Sequence, residues 1–89
     1  MAHIDCDSLT QFETAARRGQ SEALYNLGLA YSTGQGVSVD YVAAHKWFNL
    51  AAMKGRTDAI SMRREVAEMM SDAEIATAQR EARAWMTAH

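Results

Sequence analysis

Residues 21–55, SEALYNLGLAYSTGQGVSVDYVAAHKWFNLAAMKG, have the pattern of two helices joined by a short loop. Apolar side chains in the first half recur at spacings of three and four residues, which is typical of one buried helical face. Gly34 and Gly36 follow, and glycine allows the positive φ angles that a tight reversal of the chain requires. Asp40 then stands where it can cap a second helix, which we expect to run to about Lys54.

Gly28 lies inside the first of these predicted helices, where glycine costs roughly 1 kcal/mol relative to alanine. We attribute it to the close approach of a neighbouring helix. Ala44 and Ala51 are small residues that set the helix spacing, and Trp47 between them fills the remaining gap. Trp85 has a similar relation to alanines near the end of the chain. We therefore expect both tryptophans in the core rather than at a ligand site.

The segments on both sides of this unit are partial copies of it. A shift of 36 residues places Phe12 on Phe48 and aligns two junctions of the form A-A-x-x-G. Such self-similarity indicates a repeat architecture. We divide the chain into a half repeat at 8–20, a full repeat at 21–56 and a degenerate capping repeat at 57–87.

The N-terminus is expected to precede the folded domain. Ser8 and Gln11 form a capping-box pattern, so we predict that the first helix begins at Ser8 and that the domain spans 8–89. Residues 1–7 would then be a flexible tail. Its side chains with metal-binding groups are His3, Asp5, Cys6 and Asp7. Because no second cluster completes a coordination shell, we predict no metal site.

The last repeat carries helix signals of its own. Thr57 or Asp58 is placed to cap a fourth helix that reaches about Met70. Ser71 and Glu74 form another capping box and predict the start of a fifth helix.

The composition excludes several classes of protein. The chain is 48% hydrophobic and 22% charged and has no proline, which predicts an all-α fold in water. A net charge of −2 with dispersed basic residues argues against nucleic acid as a partner. No segment approaches the ~20 apolar residues of a membrane span, and no signal-peptide pattern is visible. We therefore predict a cytoplasmic protein that contacts no membrane.

Catalysis is not predicted by any pattern of residues. Serine and threonine residues lack a partner histidine in a recognisable motif, and His45 has no cysteine or carboxylate at ligand spacing. We interpret His45 as a surface histidine and predict no enzyme activity and no cofactor. The G-x-G of the loop is interpreted as a turn, since a phosphate cradle needs a preceding strand.

The glycine and alanine landmarks between Ala23 and Gly55 follow the pattern A-x-x-x-L-G-x-x-Y-x-x-G-x-G-V-x-x-D-x-x-x-A-x-x-W-x-x-x-A-A-x-x-G. This pattern resembles that of the Sel-one-like repeat family, a relative of the tetratricopeptide repeat. The resemblance implies a right-handed α/α solenoid of about five helices in antiparallel pairs. It also implies a concave groove, lined by first helices, that binds other proteins without catalysis. Cysteine-rich members resemble β-lactamase-like hydrolases, but this chain lacks their paired cysteines.

Residues of the first helices that point away from the core are the candidates for binding. They are Glu22, Tyr25, Asn26, Leu29 and Ser32 and, one repeat later, Ser61 and Glu65. These side chains predict a groove that is apolar at one end and acidic at the other, suited to a peptide with basic residues. An alternative is that Tyr25 and Leu29 cover the neighbouring helix. A second alternative is a self-assembling subunit, a homo-oligomer, because a solenoid needs about three stacked units for stability.

Overall fold

Five α-helices and no strand make up residues 6–88, the part of the chain that the computed structural model describes, with side chains described from Thr10 onward. The helices are α1 (Cys6–Arg17), α2 (Ser21–Thr33), α3 (Tyr41–Met53), α4 (Asp58–Ala67) and α5 (Asp72–Ala88). Helix α3 is central and packs against α2, α4 and α5, while α1 packs against α2. The predicted all-α fold with five helices is confirmed.

The core is densest between α2 and α3. Its largest fully buried side chains are Leu24, Leu27, Phe48 and Leu50, each of which stabilises the fold by about 1.5–3 kcal/mol. A Cβ atom added to Gly28 would lie 2.5 Å from Cε1 of Phe48, closer than atoms in real structures approach. The predicted reason for Gly28, the close approach of a second helix, is confirmed.

The loop between α2 and α3 returns the chain beside the end of α2. Gly34 ends α2 in the left-handed region (φ +76°), and its N–H donates to the carbonyl of Ala30 at 2.9 Å. The Asp40 N–H donates to the carbonyl of Tyr31 at 2.9 Å. The Asp40 carboxylate accepts from the N–H of Ala43 at 3.1 Å, which confirms the predicted cap of α3.

Helix α5 begins at a capping box and packs against α3 through two tryptophans. The Ser71 N–H donates to the Glu74 carboxylate at 2.9 Å, and the Glu74 N–H donates to the Ser71 hydroxyl at 3.1 Å, as predicted. The rings of Trp47 and Trp85 meet edge to face with centroids 4.8 Å apart. The Lys46 ammonium lies 4.2 Å from the Trp47 centroid, a cation–π contact on the same pair.

The start of α1 differs from the prediction. The helix begins at Cys6, so Ser8 is its third residue rather than its cap. Cys6 and Asp7 belong to α1 and not to the predicted tail, since an acidic residue in the first turn is favoured by the helix macrodipole. Residues 1–5, which include two members of the candidate metal cluster, lie outside the described residues.

The bounds of α4 also differ. Thr57 has helical backbone angles (φ −67°, ψ −31°) and makes no capping hydrogen bond. Asp58 is the first residue of the helix rather than its cap, and its carboxylate accepts a hydrogen bond from Nε of Arg56 at 2.9 Å. The helix ends at Ala67 rather than near Met70, since the chain must turn before α5 begins.

Candidate binding groove

The seven predicted groove residues all lie on α2 and α4, the first helices of the two C-terminal pairs. Glu22, Tyr25, Asn26, Leu29 and Ser32 belong to α2, and Ser61 and Glu65 belong to α4. Three of them, Glu22, Ser61 and Glu65, are exposed, and the other four are half-buried. We call the accessible surface of these seven residues the groove face.

Tyr25 and Leu29 are half-buried, whereas a residue that serves only to bind a partner would be exposed. Both pack against the buried core, and the ring of Tyr25 meets that of Phe48 edge to face at a centroid distance of 5.6 Å. Covering α3 is therefore one role of these side chains, which was the alternative that the sequence left open. The accessible part of each remains on the groove face.

Arg56, in the turn before α4, lies over the outer side of Tyr25. Its guanidinium carbon is 4.3 Å from the centroid of the Tyr25 ring, and its Nε donates to Asp58 at 2.9 Å. The hydrogen bond to Asp58 raises the pKa of Arg56, and the negative charges of Asp58 and Glu22 act in the same direction. Arg56 thus connects the turn that leads into α4 to the groove face of α2.

Sequence reasoning missed Arg56. Tyr25 precedes it by 31 residues, so no helical spacing relates the two residues. The only local signal was an arginine two residues before an aspartate at a helix start. That pattern does not reveal the aromatic ring over which the guanidinium lies.

Ser32 contributes less to the groove face than its position indicates. Its hydroxyl donates to the carbonyl of Leu29 at 3.1 Å, within the same helix. Such back-bonding engages the hydroxyl locally. The polar groups that remain most accessible on this face are those of Glu22, Ser61 and Glu65.

The geometry of α2, its glycine loop and α3 has a counterpart among known families. Residues 21–55 match the family model of the Sel1 repeat. This chain contains a Sel1 repeat. The Sel1 repeat has a helical solenoid fold related to the tetratricopeptide repeat, and its family consists generally of protein–protein interaction modules. The resemblance inferred from the glycine and alanine landmarks is confirmed.

A protein of alginate biosynthesis is similar in sequence to part of this chain. The alginate biosynthesis protein AlgK of Azotobacter vinelandii is 38% identical over 61 residues, which are 68% of this chain. The match covers 13% of AlgK, so this chain spans a small part of that protein's length. No solved structure shows significant similarity to the chain.

His45 lies in the Sel1 repeat as a buried residue, with 4% of its surface exposed, so its interpretation as a surface histidine is wrong. The reason is that α3 packs against three helices. Together they bury more of its circumference than the single apolar stripe that the sequence pattern shows. Burial lowers the pKa of His45, and the charge of Arg63 lowers it further. Arg63 donates a hydrogen bond to Asn49, one turn after His45, while Nδ1 of His45 has no hydrogen-bond partner within the described residues.

Within residues 10–88, no three side chains of His, Cys, Asp or Glu are grouped closely enough to hold a metal ion. None of the described helices is long and apolar enough to cross a membrane.

Proposed function

We propose that this chain is a non-enzymatic interaction module whose groove face binds a protein or peptide segment with basic residues. The Sel1 repeat supports the general part of this proposal, because its family consists of interaction modules. The chemistry of the groove face supports the finer part. A cytoplasmic location remains a prediction.

The observation that carries the proposal is the contact of Arg56 with Tyr25 and Asp58. The Arg56 guanidinium lies over the ring of Tyr25 and donates to the Asp58 carboxylate. The negative charge of Glu22, on the groove face, also acts on Arg56. These are the two contacts by which proteins commonly recognise arginine. The groove face therefore already accommodates one arginine, and a partner's arginine meets the same groups on displacing Arg56.

Exposed acidic side chains also lie on α4 and at its C-terminal end. Glu65 is exposed on the groove face, and Glu68 is exposed one turn later. A basic segment that begins at Tyr25 would continue along these carboxylates. Exposed charge pairs mainly raise association rates and specificity, and we expect the apolar contact with Tyr25 to supply most of the affinity.

The test is a pull-down from the native host with variants that add positive charge at one exposed position. Truncating Tyr25 or Leu29 would also disturb the packing against the core, so the exposed Glu65 is the better position. We expect Glu65→Lys to lose the partner, while Gln79→Lys, which adds a charge on exposed α5 surface, retains it. A folded Glu65→Lys variant that recovers the same proteins in the same amounts contradicts the proposal.

Because the chain covers 13% of AlgK, we take from that similarity the interaction repeat and not a role in alginate biosynthesis.

Self-assembly is the second candidate function, and the exposed apolar side chains favour it. Met69 is 67% exposed and Met53 is 55% exposed, and flexible methionine side chains adapt readily to a binding surface. Light scattering at two concentrations distinguishes self-assembly, which raises the mass with concentration, from a monomeric module.

A further inference from the structure

A cavity of about 160 Å³ lies away from the groove face, where the C-terminal ends of α1, α3 and α5 meet the start of α2. Its inner wall is apolar and includes Leu24 and Leu50, both 1% exposed, together with Trp85. Its rim is basic and consists of Arg17, Arg18 and Lys54. None of the acidic side chains within residues 10–88 lines it.

The three cations of the rim form no ion pair within residues 10–88. Among the described residues, the ion pair of the structure joins Arg56 to Asp58, and no side-chain hydrogen bond involves Arg17, Arg18 or Lys54. Lys54 extends from the end of α3 across the cavity edge. Its ammonium nitrogen lies 3.5 Å from the point that a Cβ atom would occupy if one were added to Gly19. Three unpaired cations around one opening favour an anion.

Cations near helix C-termini also stabilise the helix macrodipole, and Arg17 lies in the last turn of α1. That role accounts for charge at a helix end, but it does not require an apolar cavity between the charges. The N-terminal end of α2 adds positive electrostatic potential, because Gln20 provides no side-chain hydrogen bond to the amides of the first turn.

The size of the cavity limits its ligand. An apolar cavity of about 150 Å³ holds a benzene molecule, whereas pockets for drug-sized ligands are about 300–1,000 Å³. The apolar wall therefore fits one compact group, such as a phenyl ring or a branched aliphatic chain. The cations would meet a negative group attached directly to it.

We propose that this cavity binds a carboxylate that carries one compact apolar group. The apolar group lies against Leu24, Leu50 and Trp85, and the carboxylate accepts hydrogen bonds from Lys54 and Arg18. The same chemistry is present in a small free acid and in the C-terminal residue of a polypeptide. The site is distinct from the groove face and does not depend on the function proposed for it.

The test is an NMR titration of the whole chain with phenylacetate and, separately, with phenylacetamide, its neutral analogue. We expect phenylacetate to shift the Trp85 indole N–H and the Gly19 amide, and phenylacetamide to have no effect. A short peptide that ends in phenylalanine, with a free or an amidated C-terminus, distinguishes the two sources. Binding of either free carboxylate alone supports the site and identifies the source.

Variants separate binding from helix stabilisation. We expect Lys54→Met to weaken binding about tenfold or more, the loss typical of one charge-assisted hydrogen bond. Arg64→Met, which removes an exposed charge on α4, should leave the affinity unchanged. The proposal is overturned if no carboxylate shifts these resonances at millimolar concentration, if the neutral analogues bind equally well, or if a folded Lys54→Met variant binds as well as the unmodified chain.

Discussion

Gly28 and Phe48 are in direct contact across the crossing of α2 and α3. The ring of Phe48 lies over the Gly28 backbone so closely that an added Cβ would lie within 2.5–2.9 Å of three ring atoms. Phe48 is fully buried and has no open side into which it can move. The distance between the two helices therefore depends on the absence of a side chain at position 28.

Gly28→Ala is expected to destabilise the protein. Because three ring atoms would lie within 2.5–2.9 Å of the added Cβ, we expect an overpacking cost of about 2–3 kcal/mol, the upper part of the typical range. The better helix propensity of alanine returns roughly 1 kcal/mol, which leaves a net loss of about 1–2 kcal/mol. Urea denaturation measures it. The same substitution in a Phe48→Leu background should cost less, because the smaller side chain leaves room. A Gly28→Ala protein as stable as the unmodified chain would show that the helices do not meet here as described.

Much of this fold was predictable because small residues at fixed intervals specify where helices cross. The Gly34 turn and the Asp40 cap act locally, and Gly28 marks the position where α3 crosses α2; each was placed correctly. His45 was placed wrongly for a physical reason. A pattern within one helix shows one apolar stripe, but α3 packs against three helices, and His45 is buried although it lies outside that stripe.

Acid should destabilise the protein through His45. Its pKa is lowered in the folded state, so the unfolded state binds the proton more tightly and stability rises with pH. Above the unfolded pKa of about 6.5, His45 is neutral in both states and costs no stability. Below that pH the protein loses stability by at most about 1.4 kcal/mol per pH unit through this one group. We expect His45→Leu to reduce the pH dependence of the free energy of unfolding, measured by urea titration between about pH 5 and 7, the range around the ordinary His pKa. Equal slopes for the two proteins would contradict it.

The two tryptophans should be energetically coupled. Their edge-to-face contact joins α5 to α3, and aromatic pairs contribute about 0.5–1.5 kcal/mol beyond their buried area. We expect a double-mutant cycle of Trp47→Leu and Trp85→Leu to give a coupling free energy in that range. Additive effects of the two substitutions would mean that α5 is held by other contacts.

The candidate site was less predictable than the fold. Sequence spacing placed Glu22, Ser61 and Glu65 on exposed helix surface, but it could not show that Tyr25 packs on Phe48 or that Arg56 lies over Tyr25. Both contacts join residues that are distant in the chain. Patterns of three or four residues carry no information on such contacts.

Removing Arg56 should strengthen partner binding, since Arg56 occupies the contacts that the proposal assigns to a partner's arginine. We expect Arg56→Gln to retain more of the partner in a pull-down and to leave the helical circular-dichroism signal unchanged. Arg80→Gln, on exposed α5 surface, is the matched control and should have no effect. Weaker retention by Arg56→Gln would mean that Arg56 itself contacts the partner.

Photo-crosslinking from Ser61 tests the groove face most directly. A photoreactive residue replaces exposed Ser61 in one protein and exposed Gln79 of α5 in another, and both are irradiated in native host lysate. We predict a defined adduct from position 61 that disappears with Glu65→Lys, and none from position 79. Adducts of the same mass from both positions, or an adduct at 61 that persists with Glu65→Lys, would contradict binding at this face.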